Sequence, residues 1–126
     1  MTGLEHKSYY YVYDVNRHPR ITVCIARHHD GRVAKGIAIC SLSEQPVKRK
    51  GRNEARGKVL RAFGTNSTSC GINRSEAMKV LAKISDSHTK TFGLSDINYK
   101  SILFPPGYSG DNELERKLIK KWNRTS

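Results

Sequence analysis

Positive charge is concentrated in the stretch from Val47 to Phe63, which holds seven Lys or Arg residues against one Glu. Apolar residues recur within it at helical spacing, so the pattern predicts an amphipathic helix with basic residues on its outer side. A helix start presents unpaired N–H groups and the positive end of the helix dipole, which suit an anion. The sequence therefore predicts an anion site at this helix start; the alternative is a solvated basic helix. The predicted site residues are Lys48, Lys50, Gly51, Arg52 and Arg56.

The whole chain is strongly basic, with a formal net charge of +12 over 126 residues. A charge of this size attracts polyanions and phosphorylated ligands, so nucleotides and nucleic acids are the expected partners. The hydrophobic fraction of 37% is that of a folded protein and excludes a disordered tail. The length predicts a single domain, residues 1–126.

The cysteines and the apolar runs predict the cellular location of the protein. Three cysteines without a short C-x-x-C spacing predict neither a disulfide framework nor a zinc site, which fits a reducing cytoplasm. The first residues lack an apolar signal core, and no run approaches the roughly 18 apolar residues of a membrane-spanning helix. A cytoplasmic protein that does not enter a membrane is expected.

Residues that could carry out catalysis are few. The chain has no Gly-x-Ser-x-Gly elbow and no phosphate loop of the Gly-x-x-x-x-Gly-Lys-Ser/Thr type. His28 and His29 are adjacent in a predicted strand, where neighbours point to opposite faces, so they do not form a metal site. Binding without chemistry, and without a metal or cofactor, is therefore favoured; a small nuclease or phosphodiesterase using one of these histidines is the less favoured alternative.

Aromatic and basic residues in the second half of the chain are candidates for holding a nucleotide. Aromatic rings stack on bases while Arg and Lys bind phosphates. Core packing is the alternative role for each ring. Two arginines near the C-terminus, Arg116 and Arg124, are candidates for a phosphate clamp. The aromatic candidates are Phe92, Tyr99, Phe104 and Tyr108.

The elements that must position these residues form an α+β fold with a short antiparallel sheet and two to three helices. Strands are predicted at 9–13, 20–29 and 32–41, and Asp30-Gly31 predicts a two-residue hairpin turn. That turn pairs Cys24 with Ile37 and leaves both faces of the sheet apolar, so both need a cover. The basic helix is one cover; a later helix or a second copy of the protein is the other, which makes a homo-oligomer the expected state.

Two further helices and one further strand complete the prediction. Asn73 with Glu76 has the spacing of a capping box ahead of an apolar repeat that ends at Ile84. A last helix is capped by Asp111 and carries an apolar stripe. A short strand is expected at 99–104. The apolar stripe of the last helix consists of Leu114, Leu118 and Trp122.

The chain resembles a family of small phage proteins over roughly residues 9–63. The shared order is strand, Asp-Gly turn, a strand with Ala-x-Gly-x-Ala (34–38), and then Lys-Gly-Arg-x-x-Ala-x-Gly-Lys (50–58). Among these it is most similar to the Thoeris anti-defence sponges, which sequester the cyclic ADP-ribose signal of a bacterial immune system. The resemblance implies capture of a cyclic ADP-ribose isomer, or of a cyclic oligonucleotide, by an oligomer in the infected host cell. Phe92 for stacking, Asn98 for reading the adenine edge and Arg116 for the diphosphate complete the predicted site.

Two functions remain as hypotheses from the sequence. The first is a sponge that binds a cyclic nucleotide without cleaving it. The second is a nucleic-acid-binding module in which the basic helix follows the phosphate backbone and the net charge supplies affinity that does not depend on sequence.

Overall fold

A computed structural model describes residues 4–70, 78–80, 82–84 and 99–125. It confirms the α+β class, because a five-stranded antiparallel sheet packs against helices, two of which have defined bounds. The elements are β1 (Leu4–Tyr13), β2 (Pro19–His28), β3 (Val33–Ile39), α1 (Lys48–Thr65), β4 (Ser69–Cys70), β5 (Tyr99–Phe104) and α2 (Glu113–Thr125). The strand order in the sheet is β1-β2-β3-β5-β4.

The hairpin between β2 and β3 forms where it was predicted, but its turn and register were predicted wrongly. Cys24 lies opposite Gly36, not Ile37. The loop has three residues, with the Gly31 N–H donating to the His28 carbonyl at 2.9 Å and Gly31 at φ +95°. A type I turn followed by a left-handed residue is a common three-residue hairpin loop. The Asp-Gly dipeptide therefore belongs to a longer turn. As a result, every residue of β2 faces a β3 residue one position away from its predicted partner.

This register separates small side chains from large ones between the two faces of the sheet. Helix α1 packs on the small face, where a Cβ added at Gly36 would overlap the backbone carbonyl of Ala55. The absence of side-chain bulk lets the helix backbone approach the sheet closely. Together the small face and α1 form one buried cluster of Cys24, Ala26, Ala34, Ala38, Ala55, Val59, Ala62 and Phe63.

The face with large side chains is covered by other parts of the same chain. Val80 and Ile84 pack on Ile21, Val23 and Ile37. Helix α2 packs on the rest of this face, with Ile119 and Trp122 against Ile25 and Val33. Both faces therefore have a cover within one chain, so the apolar sheet by itself gives no reason for a second copy.

Helix α2 differs in detail from its prediction. Its cap is Asn112, not Asp111, because the Asn112 side-chain oxygen accepts the Glu115 N–H at 2.9 Å. Leu114 is 38% exposed, so the predicted stripe is rotated, and its buried positions are Glu115, Ile119 and Trp122. On the exposed side of α2, Glu113 and Lys117 form an i,i+4 ion pair at 3.5 Å.

The remaining predictions are confirmed in part. Strand β5 occupies the predicted 99–104 range. Residues 78–80 are helical, within the predicted second helix, while its capping residues lie outside the described ranges. In the part of the chain that the structure describes, no helix combines the length and the apolar character that crossing a bilayer requires.

Candidate functional site

The five basic and glycine residues predicted at the start of α1 do not converge on one point. Lys50 pairs with Glu44 at 3.4 Å on one flank of the helix. Gly51 faces the sheet, where an added Cβ would overlap the Thr22 hydroxyl, so its backbone is not open to an anion. The recess beside Lys50 and Gly51 has a volume of only about 30 Å³, which is the size of a water molecule and too small for a nucleotide.

The other three predicted residues of α1 lie on the opposite flank, beside tyrosines of the edge strand β1. The Lys48 ammonium lies 4.8 Å from the centre of the Tyr11 ring and 5.6 Å from that of Tyr13. The Arg52 guanidinium donates a hydrogen bond to the Tyr11 hydroxyl at 2.9 Å. The name tyrosine–basic surface is used below for Tyr9, Tyr11, Tyr13, Lys48, Arg52 and Arg56.

The three tyrosines share a face because side chains alternate along a strand. Tyr9 and Tyr11 pair with Cys24 and Thr22, which also face α1. Desolvation raises the pKa of the Tyr9 hydroxyl, and the neighbouring Cys24 adds to the shift, so this ring stays neutral. From the sequence, these tyrosines were predicted only to form a strand. The repeated Tyr-x-Tyr-x-Tyr spacing was the signal that could have marked them as one surface.

A larger concave site lies on the other face of the sheet, between the β2–β3 loop and α2. Its volume is about 440 Å³, within the 300–1,000 Å³ range typical of small-molecule sites. It is called the α2 cavity below. Its lining residues are Glu5, Arg27, Gly31, Val33, Gly107, Tyr108, Ser109, Arg116, Ile119, Lys120 and Asn123.

Three cations contribute to the wall of the α2 cavity, and they differ in their partners. Arg27 is held by Glu5 at 3.0 Å and by the Trp122 carbonyl at 3.2 Å. Arg116 and Lys120 are both exposed and lie one helical turn apart on the same side of α2. Neither makes a side-chain hydrogen bond or ion pair with any residue in the described ranges. Their charge is therefore available to an anion that enters the cavity.

A buried polar network supports this site from behind. Lys35 and Glu115 have no solvent exposure, and the Lys35 ammonium lies 3.2 Å from the Glu115 carboxylate. The hydroxyls of Tyr10 and Tyr108 each donate to that carboxylate at 2.6 Å. Burial, and then the hydrogen bond to Glu115, raise the pKa of Tyr108. A fully bonded network of this kind fixes side chains in one arrangement, so it holds Tyr108 rigidly at the cavity wall.

The structure thus places the predicted site residues in separate regions. Arg116 lies in the α2 cavity, whereas the five predicted α1 residues lie on the opposite face of the sheet. Phe92 and Asn98 lie outside the described residues. Phe104 stacks on Tyr108 with ring centres 3.8 Å apart, so these two predicted stacking residues pack on each other. Arg124, the second residue of the predicted clamp, does not line the α2 cavity.

Sequence reasoning missed two basic residues of the α2 cavity, Arg27 and Lys120. The i,i+4 spacing of Arg116 and Lys120 was a usable signal, because residues four apart share a helix face. The residues adjacent to Arg27 in the sequence give no sign that it belongs to the cavity. It reaches the cavity because β2 ends beside α2, and an irregularity in β1 between Leu4 and His6 brings Glu5 to its side.

The residues that carry the resemblance to the anti-defence sponges have a packing role in this chain. Ala34, Gly36 and Ala38 form the small face of β3, and Gly51 and Ala55 are the α1 positions that meet the sheet. The motif behind the predicted resemblance therefore describes how α1 docks on the hairpin, and it identifies no ligand. Comparison with protein-family models, with curated proteins and with solved structures finds no match for this chain.

Proposed function

We propose that this protein binds a small phosphate-bearing nucleotide in the α2 cavity and holds it without cleaving it, as a sponge for a cyclic nucleotide signal. The observation that carries the proposal is the pair Arg116 and Lys120, whose charges have no partner in the described ranges, at the wall of a cavity of about 440 Å³. Charge-assisted hydrogen bonds from Arg and Lys are among the strongest that a phosphate can accept.

The composition of the wall supports a nucleotide over a bare phosphate. Val33, Ile119 and Tyr108 give the cavity apolar and aromatic surface beside the cations. A ligand with a charged diphosphate and a flat base uses both kinds of surface, whereas inorganic phosphate uses only the cations. The proposed ligand class is therefore a cyclic ADP-ribose isomer or a cyclic oligonucleotide.

The charges at the wall support holding over cleavage. Among the described residues that line the cavity, the one carboxylate is Glu5, and it is bonded to Arg27 at 3.0 Å. Among these lining residues the ion pair leaves no unpaired carboxylate to act as a general base. The cations stabilise a bound phosphate without supplying a nucleophile.

Capture and release of a defined ligand tests the proposal. The purified protein is incubated with a cyclic ADP-ribose isomer, separated from free ligand, and denatured, and the released compound is identified by mass spectrometry. We expect return of the unchanged ligand in stoichiometric amount. A hydrolysed product would identify an enzyme, and failure of the wild-type protein to retain any cyclic nucleotide would refute the sponge.

Matched arginine variants assign the capture to the cavity. Arg116→Ala is expected to weaken binding by roughly tenfold or more, as is typical when a charge-assisted hydrogen bond is lost. Arg124→Ala removes the same charge from the same helix, outside the cavity lining, and is expected to bind within about twofold of wild type. Equal losses in both variants would mean that net charge and not the cavity binds the ligand.

A further inference from the structure

The tyrosine–basic surface has a geometry that the proposed nucleotide site does not use. Tyr9, Tyr11 and Tyr13 stand in a row on edge strand β1, and the rings of Tyr11 and Tyr13 have centres 6.5 Å apart. Four strand steps of about 3.3 Å make this row roughly 13 Å long. All three tyrosines are partly exposed. The surface is therefore an extended aromatic row and not a cavity.

Cations accompany this row at one end and along the side that faces α1. Lys7 of β1 lies 5.8 Å from the centre of the Tyr9 ring, and Lys48 and Arg52 contact the Tyr11 ring and hydroxyl. Arg56 is exposed one turn further along α1. Glu54, the one acidic residue in the α1 sequence, lines the recess beside Lys50 on the other flank. The charge along the tyrosines is thus of one sign.

We propose that the tyrosine–basic surface binds single-stranded nucleic acid, with bases stacked on Tyr11 and Tyr13 and phosphates held by Lys48, Arg52 and Arg56. Aromatic rings beside a basic groove are the usual means of binding single strands without sequence preference. A duplex offers no free base faces to these rings, because its bases are stacked within the helix. The site lies on the opposite face of the sheet from the α2 cavity, so it binds independently of the proposed nucleotide.

The energies favour exchanging the internal contacts for a bound strand. An exposed cation–π contact, such as Lys48 over Tyr11, is weak because water solvates the ammonium on its open side. A base stacked on an aromatic side chain makes a stronger contact than this one, and the released lysine gains a phosphate. Lys48 is exposed, so moving from ring to phosphate requires no rearrangement of the core.

Fluorescence anisotropy tests the proposal by measuring the affinity of the protein for a labelled ten-nucleotide oligo-dT and for a duplex of the same length. We expect wild-type protein to prefer the single strand. The double variant Tyr11→Leu with Tyr13→Leu is expected to lose roughly tenfold or more in affinity for oligo-dT, whereas Tyr11→Phe with Tyr13→Phe, which keeps both rings, stays within about threefold. Equal binding by the two double variants, or preference for the duplex, would overturn the proposal.

A second pair of double variants tests the proposal without changing β1, whose stability the tyrosine substitutions could affect. Lys48→Ala with Arg56→Ala changes two exposed side chains and is expected to reduce the slope of log affinity against log salt by about 1.4, or about 0.7 per lost phosphate contact on a single strand. The control, Arg61→Ala with Arg124→Ala, removes equal charge from elsewhere and is expected to keep the slope. A lower slope for Lys48→Ala with Arg56→Ala than for the control supports the proposal, and equal slopes for the two double variants contradict it.

One further variant separates this inference from the proposed function. Arg116→Ala alters the α2 cavity and is expected to leave oligo-dT affinity within about twofold of wild type. If Arg116→Ala weakens oligo-dT and the tyrosine variants do not, the strand binds at the cavity and the surface assignment is wrong.

Discussion

The α2 cavity and the tyrosine–basic surface offer positive charge to a ligand in two different ways. The cavity is concave, with Arg116 and Lys120 at its wall and a buried network around Glu115 behind it. The surface is an open row of rings on edge strand β1, bordered by cations of α1. A net charge of +12 thus supports one site shaped for a compact anion and one shaped for an extended anion. The positive charge of both regions favours an anionic ligand, and the shape of each region favours a compact or an extended one.

The two regions also depend on different parts of the core. The cavity depends on polar contacts among Lys35, Glu115 and Tyr108. The surface depends on close apolar packing of α1 over Gly36. Substitutions that remove one support and spare the other therefore test whether the regions are independent.

The largest expected effect is on the polar support of the cavity. Glu115→Ala removes the buried carboxylate that pairs with the Lys35 ammonium, and with it the acceptor of two tyrosine hydroxyls. Breaking a buried ion pair from one side typically costs about 3–5 kcal/mol of the free energy of unfolding. Urea unfolding measures the loss. The control is Glu113→Ala, an exposed change on the same helix, whose free energy of unfolding is expected to stay within about 0.5 kcal/mol of wild type. An equal loss in both variants would show that the buried network does not stabilise the fold.

The next effect is on the packing beneath the tyrosine–basic surface. Gly36→Ala places a Cβ against the Ala55 carbonyl and forces α1 away from the sheet. Overpacking of this kind typically costs about 1–3 kcal/mol of the free energy of unfolding. Thermal unfolding of the variant measures the change.

Gly57→Ala is the matched control for Gly36→Ala. An added Cβ at Gly57 meets no atom within 4 Å, and alanine is a better helix former than glycine by about 1 kcal/mol. The variant is therefore expected to unfold at a higher temperature than wild type. If the two glycine variants shift the unfolding temperature in the same direction, α1 does not pack as described.

A smaller effect is expected from acid at the turn that follows β1. Burial by itself raises the pKa of Asp14, but hydrogen bonds from the His18 N–H, Arg20 and the Asn16 N–H outweigh it, so the pKa lies below its ordinary value of 3.8. A carboxyl with a lowered pKa in the folded state stabilises the fold above its unfolded pKa, and this contribution is lost as the pH falls through the folded value. Stability should therefore decline below about pH 4.

Asp14→Asn shows whether this carboxyl is responsible. The variant cannot form the 3.0 Å ion pair with Arg20, so it should be less stable than wild type at pH 7 and nearer to it at pH 3. Unfolding temperatures measured across this range decide the matter. A constant difference between the two proteins at every pH would show that Asp14 does not titrate in this window.

Much of the fold follows from local sequence patterns. Residues typical of strands and the Asp-Gly pair predicted the hairpin, and the doubly apolar sheet predicted a cover on each face. The register was wrong by one residue because Asp-Gly suits both a two-residue turn and the three-residue loop that forms, with Gly31 at φ +95°. The cap of α2 was wrong by one because Asp111 and Asn112 are both good capping residues.

The candidate sites were harder to predict, because the sequence does not state which flank of a helix faces which strand. Lys50 and Arg52 are two positions apart in α1, yet one pairs with Glu44 and the other with Tyr11. Arg27 joins the α2 cavity through contacts with Trp122 and Asn123, almost one hundred positions away. Residue type predicted anion-binding chemistry, and tertiary packing decided which basic residues lie together.

Calorimetric titration of a cyclic ADP-ribose isomer into wild-type protein, Arg116→Ala and Arg52→Ala tests the central claim most directly. Both variants remove one arginine, from the α2 cavity and from the tyrosine–basic surface respectively. We expect Arg116→Ala to weaken binding by roughly tenfold or more and Arg52→Ala to leave it within about twofold. The reverse outcome, with Arg52→Ala weakening the isomer and Arg116→Ala binding it as wild type does, would contradict the account and return the nucleotide site to the start of α1.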